Sequence, residues 1–199
     1  MIGHPRPDVA ASALARPDWT RGESRDPKRL WLDKNENTDP ELAAVVQDAL
    51  RRVDPSMLHS YPDFLPLYRK LAEHVGVAPK NLLAAAGSDG IIRSCFEAYV
   101  GVGDLVVHTV PTFAMYSVYA RMYGARAIAA EYQPSGNGPV LDVSALIETV
   151  RLERPKLVCL PNPDSPTGTA VAEEQLEALV RAAGEAGAIM LVDEAYYPF

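Results

Sequence analysis

The chain has 199 residues, 48% apolar and 23% charged, with 19 Lys plus Arg against 26 Asp plus Glu and a formal net charge of -7. That length supports one domain or slightly more, the negative balance repels a phosphate backbone and argues against nucleic acid as a partner, and no apolar run exceeds five residues, too short for a membrane span. The same lack of an apolar run long enough for a signal peptide leads to the expectation of a cytoplasmic protein, and Cys95 and Cys159, each in an apolar segment without metal-ligand spacing, argue against a disulfide scaffold or a zinc site.

Residues 1–29 mix prolines and charges with no sustained apolar period, and are expected to form a mobile arm. From Leu30 the pattern becomes regular. Thr38-Asp39-Pro40-Glu41 offers a capping side chain with proline at the first helical position, and Leu42, Val45, Val46, Ala49, Leu50 and Val53 follow at helical spacing. A loop over 55–62 leads to a second helix, with Phe64, Leu67, Tyr68, Leu71, Ala72 and Val75 on one face. After Pro79 short apolar runs alternate with helical stripes. Strands are expected at 82–86, 105–109, 126–131, 156–160 and 188–193, and helices at 89–99, 113–123, 142–151 and 173–184. Continuous apolar strands alternating with helices predict an α/β fold, a mostly parallel sheet with helices on both faces. Ligands of such sheets sit at the carboxyl ends of the strands.

Four of those ends carry unusual residues: Gly87-Ser88-Asp89-Gly90, Pro111-Thr112-Phe113, the run Pro161 to Gly168, and Asp193-Glu194-Ala195-Tyr196. Singly, each has a plain structural reading: a capped turn, a core aromatic, a rigid loop. Asp193 is the exception, because a carboxylate closing an apolar strand costs several kcal/mol to bury unless a cation or donor meets it. One ligand would account for all four. It has a phosphate for a helix N-terminus, a flat ring for Phe113 and a basic ring nitrogen for Asp193, and pyridoxal 5'-phosphate has these parts.

On these motifs the chain resembles the fold-type I aminotransferases, within them the histidinol-phosphate aminotransferase-like branch. The matching pieces are Leu32 to Asn37, Tyr61-Pro62-Asp63, Gly87-Ser88-Asp89, Pro111 to Tyr116, Asn162 to Gly168 and Asp193 to Tyr196, in the family's order over residues 30–199. The resemblance implies that Gly87, Ser88 and Asp89 hold the cofactor phosphate, Phe113 stacks on the ring, Asp193 pairs with the ring nitrogen and Tyr196 donates to the ring hydroxyl. It also implies a homodimer in which Tyr61 reaches the phosphate of the neighbouring subunit. Residues 30–78 would then contribute to a small domain and the dimer contact, and 79–199 would form part of the large cofactor-binding domain, incomplete at its C-terminus. The substrates implied are an amino acid or amino phosphate and a 2-oxo acid.

Three positions depart from the family's pattern. Ser165 stands where an asparagine usually meets the ring hydroxyl, which leaves that contact to Ser165 or Asn162, and Ser60 stands where an arginine often precedes Tyr-Pro-Asp. The family's Schiff-base lysine follows the aspartate that pairs with the ring nitrogen, whereas no lysine follows Lys156. The chain is therefore read as the N-terminal half or so of an aminotransferase, expected to be inactive alone. A truncated product or binding module of the same fold is the alternative. A P-loop ATPase, suggested by the apolar strand ending in Asp193-Glu194, lacks the Gly-rich phosphate loop.

Overall fold

The computed structural model describes residues 7–10, 26, 28–31 and 35–197. Pro7–Ala10 form a short helix, α1. Most of the remaining expected arm lies outside the described residues, as do Leu32, Asp33 and Lys34 of the first motif. The chain divides into two compact units between Leu83 and Ala84, with α1 belonging to the later one.

In the earlier unit, α2 (Pro40–Arg51) begins as the sequence predicts. Proline occupies its first turn, and the Asp39 carboxylate accepts the Glu41 amide at 2.8 Å, satisfying a donor that has no partner within the helix. A 3-10 turn at Pro55–Leu58 interrupts the expected loop, with the Asp54 carboxylate accepting the Ser56 amide. α3 (Leu65–Val75) ends at Gly76, whose φ of 71° is a left-handed conformation that favours glycine. Of the residues in α2 and α3, Ala72 alone is buried.

The later unit holds α4 (Gly87–Tyr99), β1 (Leu105–Val110), α5 (Met115–Met122), β2 (Arg126–Glu131), α6 (Val143–Glu153), β3 (Leu157–Pro161), α7 (Glu173–Ala186) and β4 (Ile189–Asp193). The strands form one parallel sheet in the order β2-β1-β3-β4. β3 is buried along its whole length, as the sequence predicts for a strand apolar on both faces. On one face α6 and α7 cover Val107, Val158 and Leu160 with Leu146, Val150, Leu179 and Ala183. On the other, α4 and α5 cover Val106, Leu157, Cys159 and Leu191 with Ile92, Phe96, Tyr116 and Tyr119. Each large side chain so buried contributes roughly 1.5–3 kcal/mol.

One expected strand is absent. Residues 82–86 form no ladder, and Leu83 is 64% exposed. An apolar run becomes a strand only where another strand accepts from its amides and donates to its carbonyls, and the described residues offer this run none. The helix expected at 113–123 begins two residues late, at Met115, leaving Phe113 in the loop beyond β1. No helix among the described residues is long and apolar enough to cross a membrane.

Candidate active site

The carboxyl ends of β1, β3 and β4 and the start of α4 surround an open hollow of about 320 Å³, its mouth included. Ser88, Phe113, Pro161, Pro163, Ser165, Asp193, Ala195 and Tyr196 line it. Five residues singled out in the sequence therefore meet here: Ser88, Phe113, Ser165, Asp193 and Tyr196. The topology explains why. In a parallel sheet each strand delivers its following loop to the same edge, so segments far apart in sequence converge there.

Each wall has its own chemistry. At the start of α4, Gly87 has φ 73°, which turns the chain into the helix, and the N-cap residue, Ala86, makes no side-chain capping bond. Ser88 faces the hollow from that turn. Asp89 points its carboxylate elsewhere: Oδ1 accepts the Tyr119 hydroxyl at 2.9 Å, tying α4 to α5. What this turn presents to an anion is therefore its amides and the Ser88 hydroxyl, with the helix dipole behind them.

Phe113 is half-buried and meets Tyr116 edge-on, the ring centroids 6.0 Å apart and the planes at 84°. Asp193, also half-buried at the end of β4, has a donor on each oxygen. Tyr116 donates its hydroxyl to Oδ2 at 2.7 Å, and the Ala195 amide donates to Oδ1 at 3.1 Å. Burial, then the bond and charge of Asp193, push the Tyr116 phenol above its usual range, so it stays protonated and remains a donor. Each carboxylate oxygen keeps room for a further donor.

The loop after β3 is braced from within. Asp164, buried, accepts the Thr167 hydroxyl at 2.6 Å and the Thr167 amide at 3.1 Å, and Thr112 reaches it at 3.5 Å from the loop that carries Phe113. Ser165, next in sequence, faces the hollow. Asn162 is engaged in the loop itself, its Oδ1 accepting the Val171 backbone amide at 2.8 Å and its backbone amide donating to the Asp193 carbonyl. Tyr61 lies in the earlier unit and is fully exposed.

Sequence reasoning assigned no role to Tyr116, Tyr119 or Asp164. Tyr116 carries the one signal that could have exposed it, since it stands three residues after Phe113, about one helical turn. Asp164 and Tyr119 offered none, because their partners are set by loop and helix packing.

Residues 27–199 match the family model for aminotransferase class I and II. A histidinol-phosphate aminotransferase of Thermoanaerobacter sp. (strain X514) is 34% identical over 175 residues, covering 87% of this chain and 48% of the relative. One from Roseiflexus castenholzii is 37% identical over 175 residues, covering 84% and 44%. The chain thus spans about half the length of the curated relatives it matches. Among solved structures, histidinol-phosphate aminotransferase from Sinorhizobium meliloti in complex with pyridoxal-5'-phosphate superposes with a TM-score of 0.63 at 27% identity, covering 78% of this chain and 40% of that one. N-succinyldiaminopimelate aminotransferase from Mycobacterium tuberculosis gives 0.65 at 26%, covering 80% and 43%. With the family model matched over residues 27–199 and the parallel α/β fold shared with these solved structures, the chain belongs to the class I and II aminotransferases.

Proposed function

We propose that the hollow holds pyridoxal 5'-phosphate, and that the protein moves an amino group between an amino acid or amino phosphate of the histidinol-phosphate kind and a 2-oxo acid. The observation that carries this reading is Asp193: a carboxylate at the end of an apolar strand, held by Tyr116 and sharing one hollow with the Phe113 ring and Ser88 at the start of α4. The residues present fit the group. The α4 amides and Ser88 suit its phosphate, Phe113 suits the face of its ring, and Asp193 suits a ring nitrogen that must stay protonated. Tyr196 and Ser165, both facing the hollow, would meet the ring hydroxyl. With Asn162 engaged at Val171, Ser165 is the better placed of the two side chains weighed for that contact.

When bound, the cofactor supplies an electron sink for the substrate carbon. The chain's part is to keep that sink charged. The Asp193 carboxylate favours a proton on the ring nitrogen by Coulomb attraction, and Phe113 fixes the plane of the ring. Residues 30–78, with Tyr61 in an exposed loop, would supply the dimer contact, Tyr61 reaching the partner's phosphate site, and 79–199 would supply part of the large domain. The small-molecule substrates and two free thiols are in keeping with a cytoplasmic enzyme.

Asp193→Asn in the full-length gene product tests this reading. An amide cannot hold the ring nitrogen protonated, so the variant should retain cofactor at saturating concentration and lose turnover by about two orders of magnitude or more. Wild-type turnover would remove Asp193 from the mechanism.

A further inference from the structure

We propose that Tyr116 is a positioning residue of this site, its buried hydroxyl holding the Asp193 carboxylate in the orientation that meets the ring nitrogen; the proposal rests on the reading of Asp193 given above. Tyr116 has 0% exposure, so neither solvent nor bound substrate reaches it. It touches two walls of the hollow at once, through the 2.7 Å bond to Asp193 Oδ2 and the edge-on contact with Phe113. The Ala195 amide alone would hold one oxygen and leave the carboxylate plane, which turns about the Cβ–Cγ bond, poorly fixed, because one donor on one oxygen fixes a point and not a plane. A second donor on the other oxygen fixes the plane. A hydrogen bond to a charged acceptor is stronger than a neutral one, and from a fully packed ring it costs little side-chain entropy on binding. Tyr116 therefore links the ring nitrogen's partner to the ring's stacking platform, so that the two cannot drift independently.

A tyrosine that merely completes the core would behave differently on removal of its hydroxyl. It would lower stability without touching the cofactor. The test is a double-mutant cycle in the full-length gene product, with pyridoxal 5'-phosphate affinity read by spectroscopic titration and the ring nitrogen's protonation read by 15N resonance of labelled cofactor. Tyr116→Phe keeps the ring and its packing. In the presence of Asp193 it should weaken affinity by about tenfold and move the 15N signal part of the way toward that of Asp193→Ala. In the Asp193→Ala background the same substitution should change affinity less than about twofold, since the hydroxyl acts through the carboxylate. Unchanged affinity and 15N signal in Tyr116→Phe, or the same loss in both backgrounds, would overturn the proposal while leaving Asp193's role intact. Asp193→Ala binding as tightly as the wild type, or no binding by the wild type, would overturn the reading of the site and the proposal with it.

Discussion

The two units start from the same sequence signal, apolar residues recurring at three and four, and end in different states. In the later unit α4, α5, α6 and α7 press their apolar stripes onto a parallel sheet, and Phe96, Leu160 and Leu179 are completely buried. In the earlier unit α2 and α3 carry stripes as regular as those, yet Leu42, Val45, Val46, Leu50 and Leu67 are all exposed. Helical periodicity states which face a helix would bury. It does not state what buries it, and most helical stability comes from that burial.

The sharpest way to break this comparison is to cut the core of the later unit. Phe96→Ala should lower unfolding free energy by roughly 3–5 kcal/mol, the cost of lost burial plus a cavity, measured by urea denaturation. A loss below 1 kcal/mol would mean that the α4 contact with the sheet is loose.

Alkaline pH sharpens it further, because the buried tyrosines lie in the later unit. Burial, with the charge of Asp164, pushes the Tyr132 phenol up to about 12, and Tyr116 is raised as well. For both, the folded state holds its proton more tightly than the unfolded state. Their contribution is therefore complete below pH 10 and is lost as pH rises toward the folded values. Unfolding free energy should fall by about 1 kcal/mol per tyrosine between pH 9 and 11, and Tyr132→Phe should remove its share of the slope. A pH-independent midpoint over that range would show that these hydroxyls are open to solvent.

The smallest expected effect belongs to α2. Leu50 is 64% exposed, so Leu50→Ala should change stability by no more than about 0.5 kcal/mol. A loss above 2 kcal/mol in the monomeric chain would mean that the α2 stripe is covered within one chain and that the contrast between the units is false.

The same contrast separates what could be read from the sequence. The four strands were legible because each is a short apolar run between turn residues, and their parallel direction followed from the helices between them; their order in the sheet was not read. The run at 82–86 has the same local signature and fails as a strand, since pairing is a property of two segments and the local pattern describes one. Ser88, Phe113, Ser165, Asp193 and Tyr196 were legible as a group because strand ends converge on one edge of a parallel sheet. The bonds that set their geometry were not. Tyr116 and Asp193 are 77 positions apart, and the choice of Tyr119 as Asp89's partner depends on how α4 and α5 cross. Asn162 carried a motif signal that did not distinguish a loop-bracing amide from one facing a ligand.

The most direct measurement is a crystal structure of the full-length gene product with pyridoxal 5'-phosphate. The phosphate is expected at Ser88 and the first turn of α4, the ring against Phe113, and the ring nitrogen within hydrogen-bond distance of Asp193 with Tyr116 still on its other side. A cofactor seated outside this hollow, or bound in it with Asp193 turned away from the ring nitrogen, would contradict the assignment.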